Sequence, residues 1–415
     1  MAVTRSNTKP TASILTIGDE ILNGRIVNSN AAEIARLAGE AGLSVARSLS
    51  LPDERRVIAR AVKACREDVV FVTGGLGPTS DDLTAEALGL AYGEKMVYHE
   101  PQAVRIREFF RIRGRAPDEV NFRQAWIPGG FRVLENDWGT APCLARKPKA
   151  GRPLLFAMPG VPREMRPLMT ERVLPEIRSH FRLPPRLSLE LRTVGIGESD
   201  LYAKVRSLPV PRGMSLAFLP SPGEVLVRFG GMDRSALSRA SRPFAKKLSP
   251  HLVSSDGRSL EAVVLDRFSE KRWHLGTAES CTGGLIAARL TSVPGSSRVF
   301  DTGVVTYANE SKTRWLGVSA SLLERYGAVS GETVLAMARG LAKRRRLDGA
   351  IAVSGVAGPD GGSDEKPVGT VWIASLLGKR LRTEKYLFHG DRQDIRLRAT
   401  QEGLRQLWEM LAARP

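Results

Sequence analysis

The sequence is poor in the residues that staple small scaffolds and build metal centres. Only three cysteines occur in 415 residues. Cys65, Cys143 and Cys281 are odd in number and far apart, which excludes a disulfide framework and a thiolate metal site. The five histidines show no HxxH or HExxH spacing, so a histidine-ligated zinc enzyme is set aside. No uninterrupted apolar run approaches the roughly 18–20 residues that span a bilayer. Met1–Ala12 is polar and lacks the apolar stretch of a secretory signal. Repeats of 20–50 residues and low-complexity segments are also missing. The expectation is a cytoplasmic protein with no membrane partner.

What is present is a globular balance of 42% hydrophobic and 26% charged residues, in a chain longer than one core usually organises. The formal charge of +18 raises nucleic acid as a partner class. It divides as +6 over residues 1–183, +5 over 184–257 and +7 over 258–415, so it is spread out rather than gathered in a tail. Two basic runs stand out, Arg105–Arg115 (RIREFFRIRGR) and Lys343–Arg346 (KRRR). Neither has evenly interleaved aromatics for stacking bases, and a solvated basic surface accounts for both.

The first 90 residues alternate strand and helix. Ser13–Ile17, Leu43–Leu51 and Asp68–Thr73 read as strands. A helix begins at Asn30, and a second is capped by Asp53. That order predicts a parallel sheet with crossover helices. A helix over Pro101–Gly114, a β-rich stretch and a strand at Leu154–Met158 follow. Pro184-Pro185 reads as a joint and Ser254–Ser259 as a linker. Between them lie strand candidates at Leu187–Val194 and Glu224–Phe229. After the linker the α/β alternation restarts and runs to a last helix from Asp391.

Chemistry concentrates in four blocks of the last segment. In Ala278–Gly284 (AESCTGG) a strand runs into a helix, which places the Ser280 hydroxyl beside unpaired N–H groups at the helix's positive end. Such a site suits a phosphate or an oxyanion, and Gly283-Gly284 would let a ligand approach the backbone. The bland alternative is that Ser280 merely caps the helix. Val304–Lys312 (VVTYANESK) repeats the arrangement, with Asn309 as cap and Lys312 in the first turn. The helix dipole and any burial would lower its pKa and make it a general base towards a serine. Val353–Gly362 (VSGVAGPDGG) is a glycine-rich loop at a strand end, where parallel sheets bind ligands. In Gly390–Arg396 (GDRQDIR), Arg392 and Arg396 are four apart, on one helical face, and could clamp a phosphate. Cys281 is a rival nucleophile and His389 a rival base.

These four blocks resemble the amidohydrolase domain of the CinA (competence/damage-inducible protein A) family over roughly Leu260–Ala412. The resemblance implies nicotinamide mononucleotide deamidation to nicotinate mononucleotide and ammonia, with no cofactor. It makes Ser280 the nucleophile and Lys312 its base. Tyr307 lies in the site, and Arg396 is a phosphate partner. Thr282, Gly283, Gly284, Ser354, Gly355, Gly358 and Arg392 complete the expected substrate contacts; Ser354 stands where relatives often carry threonine.

At the front, Ser13–Asn30 ends a strand in Asp19 and Glu20. Val72–Thr84 (VTGGLGPTSDDLT) ends another in a Gly-Gly-x-Gly loop followed by Asp81 and Asp82. Strand-end glycines can cradle phosphates, and nearby carboxylates can hold a hard divalent ion; alternatively, one of the two aspartates caps the helix from Leu83. This segment, with the Asn121 block, GTAP at Gly139–Pro142 and Met158–Met165 (MPGVPREM), resembles the MoaB/MogA-like molybdopterin-binding fold at the front of CinA proteins. It covers about Ser13–Pro175. The resemblance implies metal-dependent hydrolysis of ADP-ribose (Mg, Mn or Co), with Asp19, Glu20, Gly74, Gly75, Gly77, Thr79, Asp81 and Asp82 at the site and Asp81 and Asp82 on the metal. Asp137-Trp138 and Cys143 depart from the family pattern beside the expected pocket. Residues 184–257 resemble the small KH-type linker domain of long CinA proteins but lack a GxxG clamp, which favours a spacer or dimer element.

The expected architecture is therefore α/β throughout: a MoaB/MogA-like domain over 1–183, a small α+β linker domain over 184–257 and an amidohydrolase domain over 258–415, in a homodimer. A nucleic-acid-associated factor, with no enzymatic role for the front domain, is the alternative.

Overall fold

The computed structural model describes residues 9–148, 151–183 and 186–413. The expected joint Pro184-Pro185 lies outside them. Two compact units divide the chain, Met1–Leu187 and Ser188–Pro415, and no described helix is long and apolar enough to cross a membrane.

The front unit opens as the β-branched runs require. Strands β1 (Thr11–Ile17), β2 (Ser44–Leu51) and β3 (Val69–Thr73) pair in parallel through helices α1 (Asp19–Leu22), α2 (Ser29–Ala41) and α3 (Arg55–Ala64). Helix α2 is capped by Asn28, whose side chain accepts from Ala31 N, and so begins one residue earlier than expected. Asp53 does not cap α3, as expected of it: Glu54 holds that N-cap position without a side-chain bond. After α4 (Thr84–Tyr92), a short antiparallel pair, β4 (Met96–Tyr98) with β5 (Trp126–Pro128), flanks α5 (Glu100–Ile112). Strands β6 (Arg132–Leu134), β7 (Cys143–Arg146) and β8 (Leu154–Met158) complete a sheet of order β2-β1-β3-β8-β7-β6. Because β3 and β8 are buried at every position, they read as apolar runs without alternation. Helices α6 (Pro162–Leu168) and α7 (Leu174–His180) close the unit.

The second unit holds two sheets. Strands β9 (Leu187–Val194), β10 (Ser215–Ser221), β11 (Glu224–Gly231) and β12 (Leu252–Ser254) form one of order β10-β11-β9-β12, with helices α8 (Glu198–Val205) and α9 (Arg234–Lys247). Strand β10 escapes sequence reading because it carries Pro220, which a sheet tolerates at an edge. After α10 (Leu260–Lys271), the second sheet has order β14-β13-β15-β16-β17. Its strands are β13 (Leu275–Glu279), β14 (Phe300–Val305), β15 (Gly349–Gly355), β16 (Thr370–Leu377) and β17 (Arg380–Leu387). The first three are parallel and the last two antiparallel. Helices α11 (Leu285–Thr291), α12 (Asn309–Leu316), α13 (Ala320–Tyr326), α14 (Gly331–Arg345) and α15 (Arg392–Ala412) complete it. Cores form on both faces of this sheet, which leaves the carboxyl ends of β13, β14 and β15 together at one rim.

Candidate functional site

At that rim of the second unit, Ser280 follows β13 directly, and its N–H donates to Val353 O on β15. The hydroxyl does not cap α11. Nor does it face free helix N–H groups, because Glu279, 1% exposed, takes them. Its carboxylate accepts from the N–H groups of Gly284 (2.9 Å), Ile286 (3.1 Å) and Ala287 (2.9 Å) and from the Thr277 hydroxyl (3.2 Å). A carboxylate satisfies a helix N-terminus better than a hydroxyl can, since it is charged and has two acceptor oxygens. Ser280 is thereby released from structural duty, and the N–H groups left near it are those of the turn itself.

Lys312 sits in α12, whose N-cap is Ala308 without a side-chain bond rather than Asn309. Its side chain is 1% exposed. The Nζ lies 2.9 Å from Thr306 O, 3.1 Å from Tyr307 O and 3.4 Å from Ser280 Oγ. Burial pushes this amine below the usual lysine range, against small opposing effects of Cys281 and Glu310. A neutral amine has two N–H bonds and one lone pair. With the two carbonyls taking the N–H bonds, the lone pair is left for the serine hydroxyl. Burial pushes the neighbouring Cys281 thiol up to about 12, so it stays protonated and is a poor rival nucleophile. His389 is exposed.

The other blocks close around this pair. Arg392 donates to Gly358 O (2.7 Å) and to the Tyr307 hydroxyl (2.7 Å). Arg396 donates to Thr282 O (3.0 Å) and lies against Gly283. A cavity of about 480 Å³ opens beside them, lined by Gly358, Pro359, Gln393 and both arginines among others. Each guanidinium has N–H donors to spare for an anion. Ser354 and Gly355 stand apart. The Ser354 hydroxyl is spent on Ala328 O (2.7 Å), and a side chain at Gly355 would strike Val371 and the Thr370 carbonyl. These two hold the sheet together.

In the front unit, a cavity of about 560 Å³ lies across the ends of β1 and β3. It is lined by Gly74, Gly75 and Gly77 and by Glu20, Asp81 and Asp82. Gly74 has φ +103°, and a Cβ there would sit 2.2 Å from Ile17 O, so only glycine lets the two strand ends approach. Asp82 accepts from Gly77 N (2.8 Å), Thr79 N (2.8 Å) and the Thr79 hydroxyl. It therefore knits the glycine loop; it neither caps α4, whose N-cap Leu83 makes no side-chain bond, nor pairs with exposed Asp81. Both Asp82 oxygens serve the loop, which leaves Asp81 as the exposed carboxylate of the expected Asp81–Asp82 metal pair. Among the described residues no three His, Cys, Asp or Glu side chains gather to hold an ion.

Asp19 contributes its N–H, which donates to Asp53 (2.9 Å). Burial first, then the charges of Asp19, Glu20 and Asp81, push the Asp53 carboxyl above the usual aspartate range; the Asp19 N–H opposes them. Sequence reading missed Asp53, although its place just beyond β2, at the carboxyl end of a parallel strand, is a recognisable signal. Asn30 and Gln124 also line the cavity, each with a buried amide oxygen that has no partner. The two departures from the family pattern prove to be packing. Cys143 is fully buried in the sheet core, and Trp138 packs against that core. Asp137 pairs with Arg105 and Arg172.

Residues 257–411 match the family described as CinA C-terminal domain, and residues 13–179 match the one described as Probable molybdopterin binding domain. A CinA-like protein of Akkermansia muciniphila is 42% identical over 97% of this chain and 98% of its own length. One from Geobacter metallireducens is 40% identical, covering 92% of this chain and 95% of its own length. Among solved structures, the competence/damage inducible protein CihA from Agrobacterium tumefaciens is 42% identical, covering 37% of this chain and 94% of that one, with a TM-score of 0.36. Identity of 42% sustained over 97% of this chain and 98% of the relative leads to one conclusion: the chain belongs to the CinA family.

Proposed function

We infer that the second unit is an amidohydrolase acting on nicotinamide mononucleotide. One observation carries this reading: a buried lysine amine whose two N–H bonds are held by carbonyls lies 3.4 Å from a serine hydroxyl freed from capping. Ser280 Oγ attacks the carboxamide carbon as its proton passes to Lys312 Nζ. The N–H groups of Cys281 and Thr282, ahead of those taken by Glu279, stabilise the oxyanion. Lys312 returns the proton to the departing nitrogen, which leaves as ammonia. Water then adds to the acyl-serine, giving a proton to Lys312, which passes it to Ser280 Oγ as the acyl C–Oγ bond breaks; the acid product leaves as carboxylate, releasing its own proton to solvent. Arg392 and Arg396 bind the 5′-phosphate at the cavity rim. The test is ammonia release from nicotinamide mononucleotide. Ser280→Ala and Lys312→Ala are each expected to cut it by at least about 100-fold, the lower end for general-base loss. Full activity in either variant refutes the mechanism.

The front unit is assigned a second activity, hydrolysis of ADP-ribose to AMP and ribose 5-phosphate. The glycine loop between two strand ends, in a cavity also lined by Asp53, whose carboxylate accepts from the Asp19 N–H, supports it. Any divalent ion this activity uses must take most of its ligands from outside the protein, as magnesium commonly does from phosphate oxygens and water. ADP-ribose turnover unaffected by a chelator would refute metal dependence.

A further inference from the structure

The small sheet of the second unit is packed onto the larger one rather than tethered to it. Val194, at the end of β9, belongs to the same buried cluster as α10, α11 and α15, and Val253 of β12 packs against that cluster. Arg192 donates from Nε to Arg258 O (3.0 Å) and from Nη2 to Gly257 O (3.2 Å), which ties down the segment between the two sheets. Two turns of the small sheet then lie on α15. A Cβ at Gly223, in the β10–β11 turn, would meet Gln401 Cγ at 2.5 Å. One at Gly195, after β9, would meet Arg405 Cδ at 3.1 Å. Gln401 and Arg405 are four apart, hence on one face of the helix.

Gln401 is buried and works in two directions. Its Nε2 lies 3.5 Å from Gly223 O, and its Oε1 accepts from Arg289 Nη1 at 2.6 Å. An amide can do both, since it donates from nitrogen and accepts on oxygen. Arg289 belongs to α11, and its Nη2 donates to Glu261 of α10 (2.6 Å). Helices α11 and α15 are the two that frame the candidate site: the Ser280 turn leads into α11, and α15 begins with Arg392 and Arg396. At the site they meet where Arg396 Nη2 donates to Thr282 O (3.0 Å). That bond alone is a poor spacer, because Arg396 is also the group assigned to the substrate phosphate. A guanidinium ordered only by its ligand loses affinity to the ordering, whereas one held in place beforehand does not. The Arg289–Gln401 bond joins the same two helices without using a substrate-binding group.

We propose that Gln401 is a positioning residue of the amidohydrolase: through Arg289 it fixes α15 against α11, so that Arg396 stands ready for the substrate phosphate beside the Ser280 turn. The Gly223 turn of the small sheet holds Gln401 from the other side, which makes that sheet part of the binding apparatus. Gln401 touches no substrate, since it follows Arg396 by five positions, about one and a half helical turns behind the site. The proposal rests on the amidohydrolase reading of this unit but is separable from it.

The experiment is steady-state ammonia release from nicotinamide mononucleotide by the full chain, with calorimetric binding of the same nucleotide in parallel. Gln401→Leu keeps the bulk and removes both polar contacts. It is expected to raise KM at least about tenfold, the lower end for a lost bond to a charged group. The turnover number should stay within about threefold of wild type, because the interaction concerns binding rather than the chemical step. Arg289→Met should match it, and Arg289→Lys, still able to donate to Gln401 and Glu261, should recover most of the KM. The deciding measurement is the double-mutant cycle with Arg396→Ala. In that background Gln401→Leu should raise KM no further, since no arginine is left to position. Additive effects overturn the proposal, as does an unmoved KM, or a kcat that falls as far as KM rises, which would mark general damage. If wild type releases no ammonia while nucleotide binding shows the same non-additive dependence on Gln401 and Arg396, the amidohydrolase reading falls and the positioning role stands. Ammonia release with a KM indifferent to Gln401 gives the opposite result.

Discussion

Burying an amine costs free energy only while it is charged, so Lys312 should leave a signature in stability as well as in rate. Its pKa in the folded state is lowered by burial, whereas the unfolded chain titrates near the ordinary lysine value of about 10.4. Below the folded value both states are protonated and the full cost is carried. Between the two values the unfolded state binds more protons, so stability rises with pH. Above both values the cost is gone. The expected outcome is a Lys312→Met variant more resistant to urea than wild type at pH 7, with the gap in midpoint narrowing towards pH 10. A gap that stays constant would contradict a buried, depressed lysine. In the rate, the same group gives a limb that rises with pH below the usual lysine range. Cys281, next to the nucleophile, is held as a thiol by burial. Cys281→Ala should keep ammonia release within about threefold of wild type, since a protonated buried thiol takes no part in nucleophilic chemistry.

Elements carry these residues into register, and two contacts decide whether they do. Glu279 binds three N–H groups at the start of α11, so Glu279→Ala would leave buried donors unpaired. A loss of roughly 2–4 kcal/mol is expected, built from charge-assisted bonds at about 1.5–3 kcal/mol each with partial relaxation. Chemical denaturation measures it, and Glu279→Gln should recover part by keeping one acceptor. Helix α12, which holds Lys312, packs against α14 where Gly340 offers no side chain. A Cβ there would meet Leu316 O at 1.8 Å. Gly340→Ala must push the helices apart, at a cost of about 1–3 kcal/mol typical of overpacking, and should slow ammonia release by moving Lys312 from Ser280. Unchanged stability and unchanged rate would show that the contact yields freely.

For the whole molecule, the +18 charge is mostly spoken for where it looked densest. Along α5 and its exit, Arg105 pairs with Glu135 and Asp137, Arg107 with Glu100 and Arg111 with Glu108. Arg113 and Arg115 lie over Phe109 and Phe110. Guanidiniums so engaged, over aromatics that bases would need, leave no stacking platform there. Binding to duplex DNA should therefore be weaker than about 10⁻⁶ M at physiological salt, as a salt-series titration would show. The division into two compact units also predicts that residues 188–415 expressed alone fold and keep ammonia release.

The alternation of apolar runs and helix starts was enough to read the parallel strands of both mixed sheets, because buried strands must be apolar and crossover helices amphipathic. The four blocks around Ser280, Lys312, Gly358 and Arg396 were equally legible, since each stands at a strand end, three of them ahead of a helix start and the Gly358 block as a glycine-rich loop. Strand β17 (RLRTEKYL) was not, because an antiparallel edge with polar alternation resembles a solvated segment until a neighbour pairs with it. Capping was misread at Asp53 and Asn309 for one physical reason. A short polar side chain near a helix start can serve any N–H within reach, and only the folded backbone decides which N–H that is. Sequence alone determined which strand ends carry the glycine loop, Ser280 and Lys312 to the two rims. Tertiary structure decided that Glu279 caps so that Ser280 need not, that Asp82 braces its loop, and that Trp126 lines a second cavity beside the glycine loop.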